Sequence, residues 1–371
     1  MRPAFLCVIA LLAAVSCREY FGHVDVGGSY FGTFYNHHTV GDEAMIPITT
    51  NFWCNGAYWN SIVHVFTSVD QGTTWSKGQT ISNKEFILPQ AIDRDHVVMS
   101  IADSDTRKVG QIIDYSRSGG KLTEGPTICS FDHDAFDVKV DHIVLVNKAG
   151  RITEYIRHGD TFSPGVSDTI PIPAFNRSVV RIVDDDMILI MADASTAVVA
   201  VKRGSAWQRT QTIAVPDNFA PCDTIASNHG IIVFQYHDNR DPVHPKPQLI
   251  IYERSGTQLA ATQQLDFTDE LQDVPPHGVR YLAASVLNAE SISIAIGYED
   301  VAGHVVSFDV TKTGSAWAMK PRGNVQHVSQ HSHDNYLQSI TFMSDGHVGA
   351  VTSGGGCDTD SFVYRIGDIT R

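Results

Sequence analysis

Residues able to take part in recognition chemistry recur in the later part of the chain. They are His237, Asp238 and Arg240, then Tyr298, then His331, His333, Asp334 and Tyr336. Tyrosine and histidine rings can stack on the apolar faces of sugars, and imidazole, carboxylate and guanidinium groups can hydrogen-bond to their hydroxyls. These eight residues form the candidate ligand-binding set. His331-Ser332-His333-Asp334 also groups two imidazoles with a carboxylate, but an i, i+2 pair in a loop is a weak metal-ligand signal. No metal and no cofactor is expected. Asp103-Ser104-Asp105 and Asp132-His133-Asp134 resemble fragments of calcium loops without the glycine and distal glutamate, and they read as turns. A retaining glycosidase needs two carboxyl groups, or a tyrosine backed by a glutamate, about 5 Å apart. Many aspartates qualify and spacing singles out no pair, so the catalytic residues stay unknown. No Gly-x-Ser-x-Gly elbow or phosphate-binding loop is placed where it would function.

The elements that must position these residues repeat. A β-run followed by Gly-x-x-(Trp, Phe or Leu) occurs six times, at Gly72–Trp75, Gly119–Leu122, Gly159–Phe162, Gly204–Trp207, Gly256–Leu259 and Gly314–Trp317. Between these markers lie hairpins rich in Val and Ile, such as Val179–Val183 with Met187–Met191 and Leu282–Leu287 with Ser291–Ile296. Each unit is therefore two hairpins, strands a-b then c-d, the size of one propeller blade. The expected fold is an all-β propeller with seven four-stranded blades, or six if the weak unit at 129–172 is not one. The last unit has only one strand, Phe362–Ile366, after its hairpin. The missing outer strand is supplied by the stretch around Tyr20–Val26, which closes the ring and hides a sheet edge. The long connections, 237–248, 268–279, 298–304, 321–335 and 353–360, all join b to c or d to a. Propeller geometry puts those joins on one face, and variable loops on a rigid scaffold are where binding usually sits.

Ser68-Val69-Asp70-Gln71-Gly72-Thr73-Thr74-Trp75 fits S-x-D-x-G-x-T-W. In Ser68, Asp70, Gly72, Thr74 and Trp75 it resembles the Asp box of the sialidase-like (BNR repeat) β-propeller superfamily, and the other five markers read as copies without the aspartate. The resemblance implies a structural motif in a c–d turn, away from the active face. Asp70 accepts backbone N–H bonds, Gly72 supplies the turn and Trp75 wedges into the sheet packing. In sialidases an Arg-Ile-Pro motif upstream of the first box supplies one arginine of a carboxylate-binding triad. The matching stretch here is Met45-Ile46-Pro47, and a thioether cannot grip a carboxylate bidentately. Arg181 and Arg280 are the residues that would build a rearranged arginine set.

Composition fits this picture. The 371 residues carry a net charge of −14 with 43% hydrophobic and 18% charged residues. That rules out a disordered chain and disfavours partners that need a basic footprint, so neither nucleic acid nor membrane insertion is expected. Arg2, the apolar run Ala4–Val15 and the small residues before Cys17 read as a secretory signal peptide over residues 1–17, with one propeller domain over 18–371. Of the 6 cysteines, Cys54, Cys129, Cys222 and Cys357 remain in a secreted chain, and four allow two disulfides in three connectivities. Asn176-Arg177-Ser178 is an N-glycosylation sequon. The leading expectation is extracellular recognition of a glycan or glycoprotein through the loop-rich face. The alternatives are a sialidase-like hydrolase and an adhesion propeller without a small ligand.

Overall fold

The fold is that of a computed structural model. It describes the backbone of residues 20–25, 31–34, 38–40, 43–54, 57–68, 76–82, 86–91, 96–102, 109–118, 121–130, 134–139, 141–173, 179–193, 196–214, 225–238, 246–267, 279–299, 303–322, 326–327, 335–342, 348–354 and 361–366. Side chains are described for 79–81, 96–100, 111–118, 121–130, 134–139, 141–173, 179–193, 196–214, 226–234, 248–267, 284–297 and 305–322. Among the described residues no helix is long and apolar enough to cross a membrane.

The described strands form seven antiparallel sheets, each read here from its inner strand a to its outer strand d. Sheet one runs Phe31–Phe34, Glu43–Cys54, Ala57–Ser68 and Ser76–Ser82, with His38–Val40 paired to its strand b. Sheet two runs Phe86–Ala91, His96–Ala102, Val109–Ser118 and Lys121–Cys129. Sheet three runs Ala135–Lys139, His142–Val146, Arg151–His158 and Thr161–Thr169. Sheet four runs Val179–Asp184, Met187–Met191, Thr196–Arg203 and Ala206–Ala214. Sheet five runs Ile225–Asn228, Ile231–Asp238, Lys246–Ser255 and Gln258–Asp266. Sheet six runs Val279–Asn288, Ser291–Glu299, Gly303–Thr313 and Ala316–Pro321, with Gln326–His327 added beside strand c. Sheet seven runs Asn335–Phe342, Val348–Gly354 and Ser361–Ile366.

The outer strand of sheet seven is Tyr20–Asp25. It pairs antiparallel with Ser361–Ile366, Tyr20 opposite Ile366 and Asp25 opposite Phe362, which is the expected N-terminal closure. The weak unit at 129–172 contributes a complete four-stranded sheet, sheet three. Strand a of each sheet packs on strand a of the next from sheet three through sheet seven to sheet one. Sheet one packs on sheet two through its strands b and c. Val98 and Ile112 of sheet two share a core with Val138, Ile143 and Leu145 of sheet three, which completes the circle. The chain is a β-propeller.

This arrangement explains why the middle strands are apolar along their whole length. His142–Val146 and Met187–Met191 are buried at every position. In sheet four, Met187, Leu189 and Met191 pack toward sheet five, while Ile188 and Ile190 pack toward sheet three. A strand covered on both faces has no solvent side to keep polar. The outer strands do have one: in Ala206–Ala214 only Trp207 and Ile213 are buried.

The repeated markers are joints. Leu122, Trp207, Leu259 and Trp317 are buried in the seams between their own sheets and the preceding ones, and Phe162 packs into the seam between sheets two and three. The four described marker turns are not shortened Asp boxes. His158 pairs with Thr161, Arg203 with Ala206, Ser255 with Gln258 and Thr313 with Ala316, which leaves two residues in each turn. Gly159, Gly204, Gly256 and Gly314 take φ of +61° to +65° at the first turn position, the type II′ hairpin, where glycine alone avoids strain. In sheet one, by contrast, Thr67 pairs with Ser76, leaving Ser68 to Trp75 between them. Asp70, Gly72, Thr74 and Trp75 lie outside the described residues, as do residues 1–17 and the sequon. Ser68 ends strand c of sheet one, and Met45-Ile46-Pro47 lies in its strand b.

Two disulfides from four cysteines are not formed, because Cys129 is a free, buried thiol. Burial is the main reason its pKa is pushed up to about 12, against the lowering effect of hydrogen bonds with the Ile112 backbone and Tyr155. Cys54 lies in strand b of sheet one. Cys222 and Cys357 lie outside the described residues.

Candidate functional site

A propeller strand a runs from the d–a connection to the a–b turn, and strand b runs back. Strand b therefore ends, and strand a begins, at the end of the molecule that carries the long connections. His237 and Asp238 are the last two residues of strand b in sheet five. Tyr298 is next to last in strand b of sheet six, opposite Val279 at the start of strand a. Tyr336 is the second residue of strand a in sheet seven, opposite Ser353. Strands a and b of sheet six pack against strand a of sheet seven, and strand b of sheet five packs against strand a of sheet six. The topology thus brings His237, Tyr298 and Tyr336 to one end of adjacent sheets. It does not bring Asp238 to the same face as His237, since neighbours along a strand alternate faces. Arg240, His331, His333 and Asp334 lie outside the described residues.

Toward the opposite end, described side chains bridge sheets three, four and five. Arg254, on strand c of sheet five, reaches into the a–b turn of sheet four. Its Nη1 donates to Asp184 Oδ2 at 2.9 Å and its Nη2 to Asp186 Oδ2 at 2.9 Å. The guanidinium hydrogen bonds hold the Asp186 carboxyl below its ordinary range. On the inner strands, Ile182 N donates to Asp137 Oδ2 at 2.7 Å and Ser227 Oγ donates to Ile182 O at 2.7 Å. The Lys139 ammonium donates to the Ser227 carbonyl, linking sheet three to sheet five. Burial drives the Lys139 pKa down, opposed by Asp137 and reinforced by Arg181. Arg181, proposed from sequence for a rearranged arginine set, has Nη1 4.0 Å from Asp137 Oδ1 and 2.9 Å from the Val180 carbonyl. Arg280 lies in strand a of sheet six.

Two further clusters were missed in the sequence. Glu154, on strand c of sheet three, has no exposed surface. Its Oε1 is 2.6 Å from Lys202 Nζ of sheet four and 2.6 Å from His142 Nε2, and its Oε2 accepts the Val166 N–H at 3.1 Å. The imidazole nitrogen lies against the carboxylate outside hydrogen-bond geometry. Gly165 makes room, because a Cβ there would sit 2.9 Å from Oε2. Burial alone would raise the Glu154 pKa, but His142, Lys202 and the Val166 N–H beside the carboxylate outweigh it and hold it at about 2. The same joint recurs between sheets five and six. Glu253 Oε2 is 2.5 Å from Lys312 Nζ, and its Oε1 accepts the Trp317 indole N–H at 2.7 Å. Burial raises the Glu253 pKa, and these bonds with that from Thr262 pull it below normal.

One signal could have located both joints. Lys202-Arg203-Gly204-Ser205-Ala206-Trp207 and Lys312-Thr313-Gly314-Ser315-Ala316-Trp317 are the same motif twice, with each lysine 5.8 Å from the centre of its tryptophan ring. A second signal is the dipeptide Asp-His that opens strand b of sheets two and three. His96 Nδ1 lies 3.1 Å from Asp114 Oδ2, on the strand-c position that Glu154 holds in sheet three. Among the described residues no three His, Cys, Asp or Glu groups converge as a metal site. The carboxyls that shift here are pulled down into joints between sheets, which suits structural anchoring and is the reverse of a general acid.

No family model and no curated protein matches the chain by sequence. Among solved structures, the chain is similar to the β-propeller domain of the Trilobed protease from Pyrococcus furiosus, described as having an open velcro topology. The two are 10% identical with a TM-score of 0.48, over 92% of this chain and 99% of that one. It is also similar to a structure of S. cerevisiae Dbp5 bound to Nup159, Gle1, IP6 and ADP, at 10% identity and a TM-score of 0.45, over 94% and 96%.

Proposed function

We propose that the chain is a secreted recognition protein that binds glycans or glycoproteins at the end of the propeller where strand b meets strand c. The observation that supports this is the difference between the two ends. At the a–b and c–d end of sheets three to six, the described turns hold two residues each and Arg254 is committed to Asp184 and Asp186. At the other end, the strands that carry His237, Tyr298 and Tyr336 end or begin beside connections that are long in the sequence. Rings on rigid strand ends suit stacking on sugars, and flanking loops suit selectivity.

A glycan array with the purified mature protein tests the reading. Binding to a defined glycan class is expected, falling about tenfold or more in Tyr298→Ala and Tyr336→Ala while the thermal melt is unchanged. A silent array overturns it. Release of a fluorogenic sialoside by the purified protein would replace it with a hydrolase.

A further inference from the structure

Two cationic side chains cross the inner edge of sheet four in opposite directions. On strand a of sheet three, Ala135 packs toward sheet four and Val138 toward sheet two. Alternation therefore puts Asp137 and Lys139 on the face toward sheet four. Asp137 meets that sheet, where its Oδ2 accepts the Ile182 N–H at 2.7 Å. Lys139, the last residue of the strand, reaches past it and donates to the Ser227 carbonyl of sheet five. On strand a of sheet four, Ile182 packs toward sheet three, and Val179 and Val183 pack toward sheet five. Arg181 alternates with the two valines and so starts on the face toward sheet five. Its guanidinium returns to sheet three, with Nη1 4.0 Å from Asp137 Oδ1. Ile182 lies between the two crossings, because Ser227 Oγ donates to its carbonyl.

Two cations thus share one carboxylate. Asp137 Oδ2 is taken by the Ile182 amide and Oδ1 faces Arg181. Among the described residues no carboxylate forms an ion pair with Lys139, and its hydrogen-bond acceptor is a neutral carbonyl. An ammonium withdrawn from water beside a guanidinium, with only a neutral acceptor, gains by giving up its proton. Burial is the first cause of the lowered Lys139 pKa, with Arg181 reinforcing it and Asp137 opposing it. The neutral amine still donates one N–H to Ser227 and carries a lone pair. The cluster is open to solvent, since Lys139 is partly exposed and the Arg181 side chain is 25% exposed.

We propose that Lys139 is a nucleophilic amine, a covalent site for small aldehydes at the inner edge of the propeller. A lysine held neutral by desolvation and a neighbouring cation is the form that attacks carbonyl compounds. Its lone pair bonds to the aldehyde carbon, the C=O π pair moves to oxygen, and one proton passes from nitrogen to that oxygen. The resulting hydroxyl leaves with the second nitrogen-bound proton as water, and a C=N bond remains. Arg181 acts through Lys139 by disfavouring the ammonium. The site is at the a–b end of strand a, so it goes beyond glycan recognition and does not depend on it.

The experiment treats the untagged full chain with propionaldehyde and sodium cyanoborohydride at pH 7, which reduces the imine to a stable propyl-lysine. Peptide mass spectrometry then follows each lysine with time. Lys148 is the reference, with a side chain 66% exposed. Lys139 should be alkylated about tenfold faster than Lys148 or more, the effect of one unit of lowered pKa on the neutral fraction. Unfolding in urea should abolish the preference. Arg181→Gln, which removes the neighbouring charge, should slow Lys139 by about threefold and leave Lys148 unchanged. Should that variant misfold, the parent compared with and without urea decides the matter alone. Lys139 alkylated no faster than Lys148 overturns the proposal, and shows the amine to be a structural strut between sheets three and five. A preference that survives in urea, or an unchanged Lys139 rate in folded Arg181→Gln, overturns it as well.

Discussion

Glu154 shows how one residue ties sheets together. A fully buried carboxylate survives only where donors replace its lost water. Lys202, His142 and the Val166 amide do so, from two sheets. Removing the carboxylate in Glu154→Ala strands a lysine and a histidine at the seam, and a loss of about 3 kcal/mol in urea unfolding is expected. Glu154→Gln, which keeps an acceptor for Val166, should lose less. The pH dependence follows from the folded pKa of about 2 against an ordinary 4.5. A depressed carboxylate contributes its full stability above its unfolded pKa and loses it as pH falls toward the folded one. Unfolding free energy should thus drop between about pH 4.5 and 2 in the parent, and that drop should shrink in Glu154→Gln. Cys129 gives a second prediction at this scale. A buried thiol with its pKa pushed up to about 12 is almost entirely protonated at neutral pH. Iodoacetamide should leave it unmodified in the folded protein and label it in urea, as read by mass spectrometry without reductant. A disulfide-linked Cys129 peptide would contradict this.

The two Lys-x-Gly-Ser-Ala-Trp hairpins separate what sequence identity determines from what context determines. Both lysines reach a glutamate on the preceding sheet, 48 residues away in one case and 59 in the other. The tryptophans differ. Trp317 donates its indole N–H to Glu253, whereas the Trp207 indole nitrogen is buried without a partner. Trp317→Phe should therefore cost about 2 kcal/mol more than Trp207→Phe in paired urea melts, the value of a hydrogen bond to a charged acceptor. Equal losses would mean that only ring packing matters. The turn itself was legible in the sequence, since glycine at the first position of a two-residue hairpin is a local requirement. The acid that completes each joint was not, because it lies on another sheet at a separation set by loop lengths.

At the scale of the molecule, the same distinction between local and distant information decides what could be read. The hairpin pattern and the single strand after the last hairpin were enough to foresee a ring completed by the N-terminus. Alternating apolar runs and a missing partner strand are both written in the local sequence. Site geometry is not written there. His237 and Asp238 are neighbours in sequence and fall on opposite faces of sheet five, while Tyr298, His304 and His327 form one row only once three strands are in register. The closure itself is open to test. Tyr20–Asp25 covers the edge of Ser361–Ile366, and without it that strand presents unpaired amides and carbonyls to solvent. A chain starting at residue 27 should melt at least about 5 °C below one starting at residue 18. It should also associate with rising concentration, because an uncovered edge pairs with another copy. A synthetic peptide of residues 18–27 added in excess should occupy the vacant edge, restoring the melting temperature and the monomeric elution. A truncated chain that keeps both would show that Ser361–Ile366 needs no partner, and that the ring is held by inner-strand packing alone.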